Sequence, residues 1–137
     1  MIDIVVIGND SGIKQLIERE EIRVSVISDE IQALTAAKEL TPNIFFLSYD
    51  VRQDQTPEYV FLLKQASQTS KVVLIGQNVA DETVIDCLVK GAQGYTNATE
   101  EMPKLLEKMI NALMAGEVWI SRRLTAKILA QLRVSLS

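Results

Sequence analysis

The residues of this chain that could do chemistry fall just past four short apolar runs. They are Gly8, Asn9 and Asp10 after IDIVVI, Ser48 with Asp50 two residues on after IFFL, Gly76 after KVVLI, and Asn97 and Ala98 after the run around Tyr95. If those runs are parallel strands, their ends converge on one crevice, where open α/β sheets place ligands and reactions. The crevice so assembled is small, polar and nearly uncharged. Asp10 is its one expected carboxylate, Asp50 is an outside candidate, and Asn9 and Asp10 can equally serve as helix caps. The sequence has no histidine, which removes the commonest general base and transition-metal ligand. The single cysteine, Cys87, sits at an apolar helical position with no histidine to activate it, so a buried, unreactive thiol is expected. One cysteine also excludes an internal disulfide and a cysteine-rich zinc site.

The elements that must position these residues are legible in the hydropathy pattern. PNIFFLSYD (42–50) opens on a turn signal, runs apolar without alternation and breaks at Ser48, as a strand buried on both faces does. IRVSVIS (22–28) alternates, as an edge strand does. Between the strands lie helical patterns. Asp10 or Ser11 is a candidate cap for the first, whose face is Ile13, Leu16 and Ile17; Ser28 or Asp29 caps a second with Ile31, Leu34, Ala37 and Leu40. Thr56 before Pro57 is the expected cap of a third, with Tyr59, Leu62, Leu63 and Ala66 inward. Asp81 is expected to cap a fourth, with Val84, Ile85, Leu88 and Val89 inward and Gly91 closing it. Thr99 would cap the longest, ended by Gly116. Five strands alternating with five helices predict a doubly wound parallel sheet of the flavodoxin-like kind, with an extra helix from about Arg122.

At 137 residues the chain is long enough for one core, and its 47% hydrophobic and 23% charged residues are ordinary for a globular domain. No apolar run nears the roughly 20 residues of a membrane span, and no leader precedes the first strand pattern, so a cytoplasmic protein is expected. The net charge of −4 argues against nucleic-acid binding by these residues alone. The charge is uneven. From Gly116 onward four basic residues face one acidic, giving +3, while the rest holds ten basic and seventeen acidic, giving −7. The tail is thus electrostatically distinct, as a linker or docking segment would be. Its short apolar segment around Trp119 is expected to lie back on the body as an anchor.

The stretch GAQGYTNATEEMPKLLEKMINALMAGEVWISRRL (91–124) combines a Gly-Ala-x-Gly-Tyr turn, a long helix and a Gly-Glu-x-Trp entry into a further helix. In this combination, and over essentially its whole length, the chain resembles the receiver domain of LuxR/NarL-type bacterial response regulators. The resemblance implies a five-stranded sheet of order 2-1-3-4-5. It also implies phosphoryl transfer from a histidine kinase to an aspartate, with a magnesium ion held by an acidic pair. Matched residue by residue, the pair falls on Gly8 and Asn9, the acceptor on Ser48, a hydroxyl residue on Gly76 and a phosphate-binding lysine on Ala98. The switch aromatic is retained as Tyr95. Five departures together remove the reaction, so no catalysis, cofactor or metal is expected.

The expected protein is therefore an atypical receiver domain over residues 1–116 with a linker over 117–137. It would act without phosphorylation, through protein contacts, to control an attached helix-turn-helix domain, whose opening Leu136-Ser137 resembles. A homodimer through the helix at 99–115 is expected, with Met102 and Met114 widening its apolar stripe, and DNA contact through the further domain alone. Tyr95 is expected inward, filling open space beside Gly76. Two alternatives stay open: a small-ligand sensor using Asn9, Ser48 and Gly76, and residual phosphotransfer on Asp10 or Asp50.

Overall fold

The computed structural model describes residues 1–8, 11–97 and 102–136. The expected roles of Asn9, Asp10, Ala98 and Thr99 lie outside the described residues. Five parallel strands, β1 (Ile2–Ile7), β2 (Ile22–Ile27), β3 (Ile44–Ser48), β4 (Lys71–Gly76) and β5 (Gly94–Asn97), form one sheet in the order β2-β1-β3-β4-β5. Around it lie α1 (Ser11–Ile17), α2 (Glu30–Leu40), α3 (Thr56–Ala66), α4 (Asp81–Val89), α5 (Met102–Met114) and α6 (Arg122–Leu136). The loop after β3 contains two 3-10 turns, Tyr49–Val51 and Gln53–Gln55.

β3 is central because every apolar residue in it, Ile44, Phe45, Phe46 and Leu47, is wholly buried, which needs a layer on each side. One face of the sheet (Ile4, Val6, Ile44, Phe46, Val73) packs with Ile13 and Ile17 of α1 and Leu106, Met109, Ile110 and Leu113 of α5. The other (Val5, Ile7, Phe45, Leu47, Leu74) packs with α2, α3 and α4 through Ala33, Ala37, Tyr59, Leu63, Val84 and Cys87. Each large side chain taken wholly from water contributes about 1.5–3 kcal/mol.

Several helix details differ from the sequence pattern. α2 buries Ala33 and Ala37 and leaves Ile31 and Leu40 exposed. The two alanines, one turn apart, let the helix approach the sheet closely, and that contact outweighs the larger residues beside them. Leu16, Leu62 and Val89 are likewise exposed, whereas Val60 and Cys87 are buried. Asp29 caps α2, accepting from the amides of Ile31 and Gln32 at 2.8 Å each. Thr56 is the first residue of α3 rather than its cap; Gln55 precedes it, and the buried Thr56 hydroxyl donates to the Gln53 carbonyl at 2.6 Å. Ala80, not Asp81, precedes α4, because the Asp81 carboxylate is engaged elsewhere. Met102 is buried in the core, so it does not widen an outward stripe on α5.

Candidate functional site

The strand ends do converge, but on two clefts rather than one. In the first, Gly8 at the end of β1 faces Ser48 at the end of β3. Gly8 donates its amide to the Ile27 carbonyl at 3.0 Å and adopts φ +141°, a conformation natural to glycine alone. A Cβ placed on it would lie 2.8 Å from Ser48 Cβ. The two strand ends come close where the resemblance places a carboxylate on each. The surrounding concavity, about 670 Å³, is lined by Gly8, Ser28, Asp29, Glu30, Ser48, Asp50 and Val51.

This lining corrects the expectation of a nearly uncharged crevice. Asp29 and Glu30 follow β2 after Ser28 and bring two carboxylates, with Asp50 a third. Two of the three are already engaged. Asp29 caps α2, and Glu30 accepts from Arg52 Nη1 at 2.9 Å, while Arg52 Nη2 donates to Gln55 at 2.8 Å. Asp29 and Glu30 were readable in the sequence as strand-end residues, but their strong capping pattern hid the second role.

Gly76 does not join Ser48. It lies beside Tyr49 and Val79, and a Cβ there would sit 2.6 Å from Val79 Cγ2 and 3.2 Å from Tyr49 Cβ. The space expected to stand open for Tyr95 is therefore filled by other side chains. Tyr95 is half-buried against the α3–α4 side of the core, and its hydroxyl is fixed twice. It accepts from the Val79 amide at 3.2 Å and donates to Asn97 Oδ1 at 2.6 Å.

Tyr95 forms part of the second cleft, about 450 Å³, with Asn78, Val79, Asp81, Val84, Trp119, Arg123 and Leu124 among its walls. Here the chain leaving α5 returns to the sheet. Trp119 pairs in parallel with Gly94: its amide donates to the Gln93 carbonyl at 2.8 Å, and its carbonyl accepts from the Tyr95 amide at 2.9 Å. A Cβ on Gly94 would come 2.8 Å from that carbonyl. The expected anchor role of Trp119 is therefore a backbone pairing as well as an apolar contact. Arg123 and Lys127 then reach Asp81 and Glu82 on the first turn of α4. The hydrogen bond from Arg123 is the main cause holding the Asp81 carboxyl down to about 2, with Lys127 assisting. The sequence marked Asp81 as a cap and Arg123 and Lys127 as part of a basic tail but not this pairing, although the one-turn spacing of Arg123 and Lys127 opposite an Asp-Glu pair was a usable signal.

The magnesium ion that the resemblance implies does not fit. Gly8 offers no oxygen from a side chain, Ser48 offers a hydroxyl, and among the described residues no three acidic, histidine or cysteine side chains converge to hold a metal. Cys87 is buried, and desolvation pushes its thiol up to about 12, which leaves it protonated and unreactive. Among the described residues no helix is long and apolar enough to cross a membrane.

Fold and sequence comparisons agree on the class. Over 95% of this chain and 99% of the other, it superposes with the isolated REC domain of RcsB from Salmonella enterica serovar Typhimurium (TM-score 0.79, 13% identity). A two-component response regulator of the LuxR family from Aurantimonas sp. SI85-9A1 matches with TM-score 0.77 and 22% identity over 96% and 97% of the two chains. The response regulator domain of Thermotoga maritima CheB matches at 0.68 and 15%, over 83% and 96%. The architecture is that of a response-regulator receiver domain. In sequence, the chain is 28% identical over 127 residues to the nitrate/nitrite response regulator protein NarL of Escherichia coli K12, covering 91% of this chain and 58% of NarL. No family model matches the sequence. By fold the chain is similar to response-regulator receiver domains and in sequence it is similar to NarL, and it spans little more than half the length of that relative.

Proposed function

We propose that this domain is a receiver that has lost phosphoryl chemistry and acts by protein contact alone. The observation that carries the reading is the closed approach of Gly8 to Ser48, where a Cβ on Gly8 would stand 2.8 Å from that of Ser48. Missing carboxylates alone would leave an empty but permissive pocket. Here the Cβ of Ser48 stands where a side chain on Gly8 would begin. The domain is not an enzyme. Its output is the control of an attached DNA-binding domain, approached through the linker at 117–137, as the shorter coverage of NarL supports. DNA contact belongs to that further domain, and self-association brings two such domains together. The exposed Leu105 and Met114 of α5 are the residues offered for that contact. Gly8, Asn9, Asp10, Ser48, Gly76 and Ala98 are the degenerate remains of the phosphoacceptor pocket, and Tyr95 is its retained aromatic.

The test is made in the full-length protein, with DNA binding and sedimentation as readouts. Ser48→Ala and Ser48→Asp should both leave operator affinity and association state within about twofold of wild type. A loss of DNA binding with Ser48→Ala, at unchanged stability, would contradict the reading.

A second reading, small-ligand sensing, is favoured by the concavity at Ser48. Its lining of Ser28, Ser48 and the carboxylates at 29, 30 and 50 suits a cationic or polyhydroxylated molecule. Thermal shift with polyamines and with polyols tests it. A saturable rise in melting temperature that Ser48→Leu abolishes would favour it over pure protein contact.

A further inference from the structure

α6 is attached to the body in a way no other described helix is. Its basic residues are not balanced within the helix, since residues 122–136 contain no acid. Two of them are engaged by α4 instead. Arg123 places Nη1 2.7 Å from Asp81 Oδ2 and Nη2 2.9 Å from Asp81 Oδ1, a two-pronged pair. Lys127, one turn later, lies 3.3 Å from Asp81 Oδ2 and 3.1 Å from Glu82 Oε1. Both acids stand in the first turn of α4, where negative charge also suits the helix dipole. Beneath the ion pairs the apolar seat is narrow. Leu124 is buried, Ile120 and Ile128 are partly so, and beyond them Leu129, Leu132, Val134 and Leu136 are exposed.

Asp81 also follows at once from the loop at 78–80. Within that loop Val79 gives its amide to the Tyr95 hydroxyl and sets its side chain over Gly76. One three-residue loop thus places both the switch aromatic and the acid that holds the tail.

We propose that α6 is a detachable arm, latched onto the first turn of α4 by Arg123 and Lys127 on Asp81 and Glu82, with the seating of the loop at 78–80 against Tyr95 setting whether the latch closes. Opened, the arm presents an apolar stripe and four unbalanced positive charges, and it uncovers the cleft between Val84 and Tyr95. This goes beyond the proposed function and holds whatever follows the linker. Exposed charges give the latch its reversibility, because water and salt compete with each pair.

The experiment is amide hydrogen exchange across α6, with α5 as the internal reference, in wild type, Asp81→Asn, Arg123→Gln, the double variant, Tyr95→Phe and Arg133→Gln. Protection of residues 124–130 should fall roughly fivefold in Asp81→Asn. The double variant should be no worse, because the two groups act on each other. Wild type in about 1 M salt, where the screening length is about 3 Å, should behave like Asp81→Asn. Tyr95→Phe should loosen residues 78–80 and α6 together. Arg133→Gln, which removes a charge with no partner among the described residues, should change nothing. Unchanged protection of α6 in Asp81→Asn and in salt would overturn the latch. So would an additive double variant, or an equal loss of protection in α5, which would mark a loosening of the whole domain.

Discussion

Two clefts open at the same edge of one sheet, and they are furnished in opposite ways. At Gly8 and Ser48 the strand ends touch, the side chains are minimal, and the acids nearby serve to cap α2 and to pair with Arg52. At Tyr95 and Trp119, side chain after side chain has a specific partner: Tyr95 with Val79 and Asn97, Arg123 and Lys127 with Asp81 and Glu82. The difference teaches that one sheet edge can carry a sparsely furnished cleft and a densely partnered one side by side. A metal site at the first cleft would need ionised oxygens held around the ion, and the Cβ of Ser48 stands where a side chain on Gly8 would begin. The second needs only packing and paired charge, which the same sheet supplies without any reaction.

The comparison is tested most severely at Gly8. Gly8→Asp adds the carboxylate that the resemblance implies, yet it meets both a positive φ and the Cβ of Ser48. We expect it to destabilise the domain by roughly 2–4 kcal/mol, read from denaturant midpoints, rather than to rebuild a site. A variant as stable as wild type would show that the first cleft is open after all. Gly76→Thr should cost less, roughly 1–3 kcal/mol, because the atom it strikes is the end of the Val79 side chain. Adding Val79→Ala should recover part of that loss, a coupling that a thermal denaturation cycle measures.

Acid should act on the second cleft. The Asp81 carboxyl is lowered from 3.8 to about 2 while α6 is docked, chiefly by the hydrogen bond from Arg123. Glu82 is lowered too, by its own backbone hydrogen bond first and by Lys127 next, while Arg123 and Lys127 are both raised by the same acids. A carboxyl with a depressed folded value supports docking above its unfolded value and loses that support as pH falls through its folded one. Docking of α6 should therefore weaken between about pH 4 and pH 2, seen as a change in Trp119 emission, and Asp81→Asn should flatten that step. The smallest effect belongs to Ser48→Ala, which removes one half-buried hydroxyl for which no hydrogen bond is found among the described residues. Its midpoint should stay within about 0.5 kcal/mol of wild type.

Much of the scaffold was legible from the sequence. The unbroken IFFL run marks a central strand because nothing polar interrupts it, and the alternation of IRVSVI marks an edge. What escaped depends on distances between elements. Which stripe of α2 turns inward is decided by how closely Ala33 and Ala37 let the helix approach, and local periodicity favoured Ile31 and Leu40 equally. The absence of a side chain at Gly76 suggested open space, but Val79 arrives from three residues away to fill it. Asp81 carries every sign of a cap, and only the path of the tail explains why it binds Arg123 instead.

The central claim is that the first cleft has no phosphoryl chemistry left, even when its nucleophile is returned. The direct measurement is intact mass after incubation with acetyl phosphate and magnesium, on the wild-type chain and on Ser48→Asp. Neither should gain a phosphoryl group. The new aspartate would stand against Gly8 with, among the described residues, no lysine lining the cleft to meet the developing charge. Stoichiometric, base-labile phosphorylation of Ser48→Asp would contradict the account, and phosphorylation of the wild-type chain would contradict it outright.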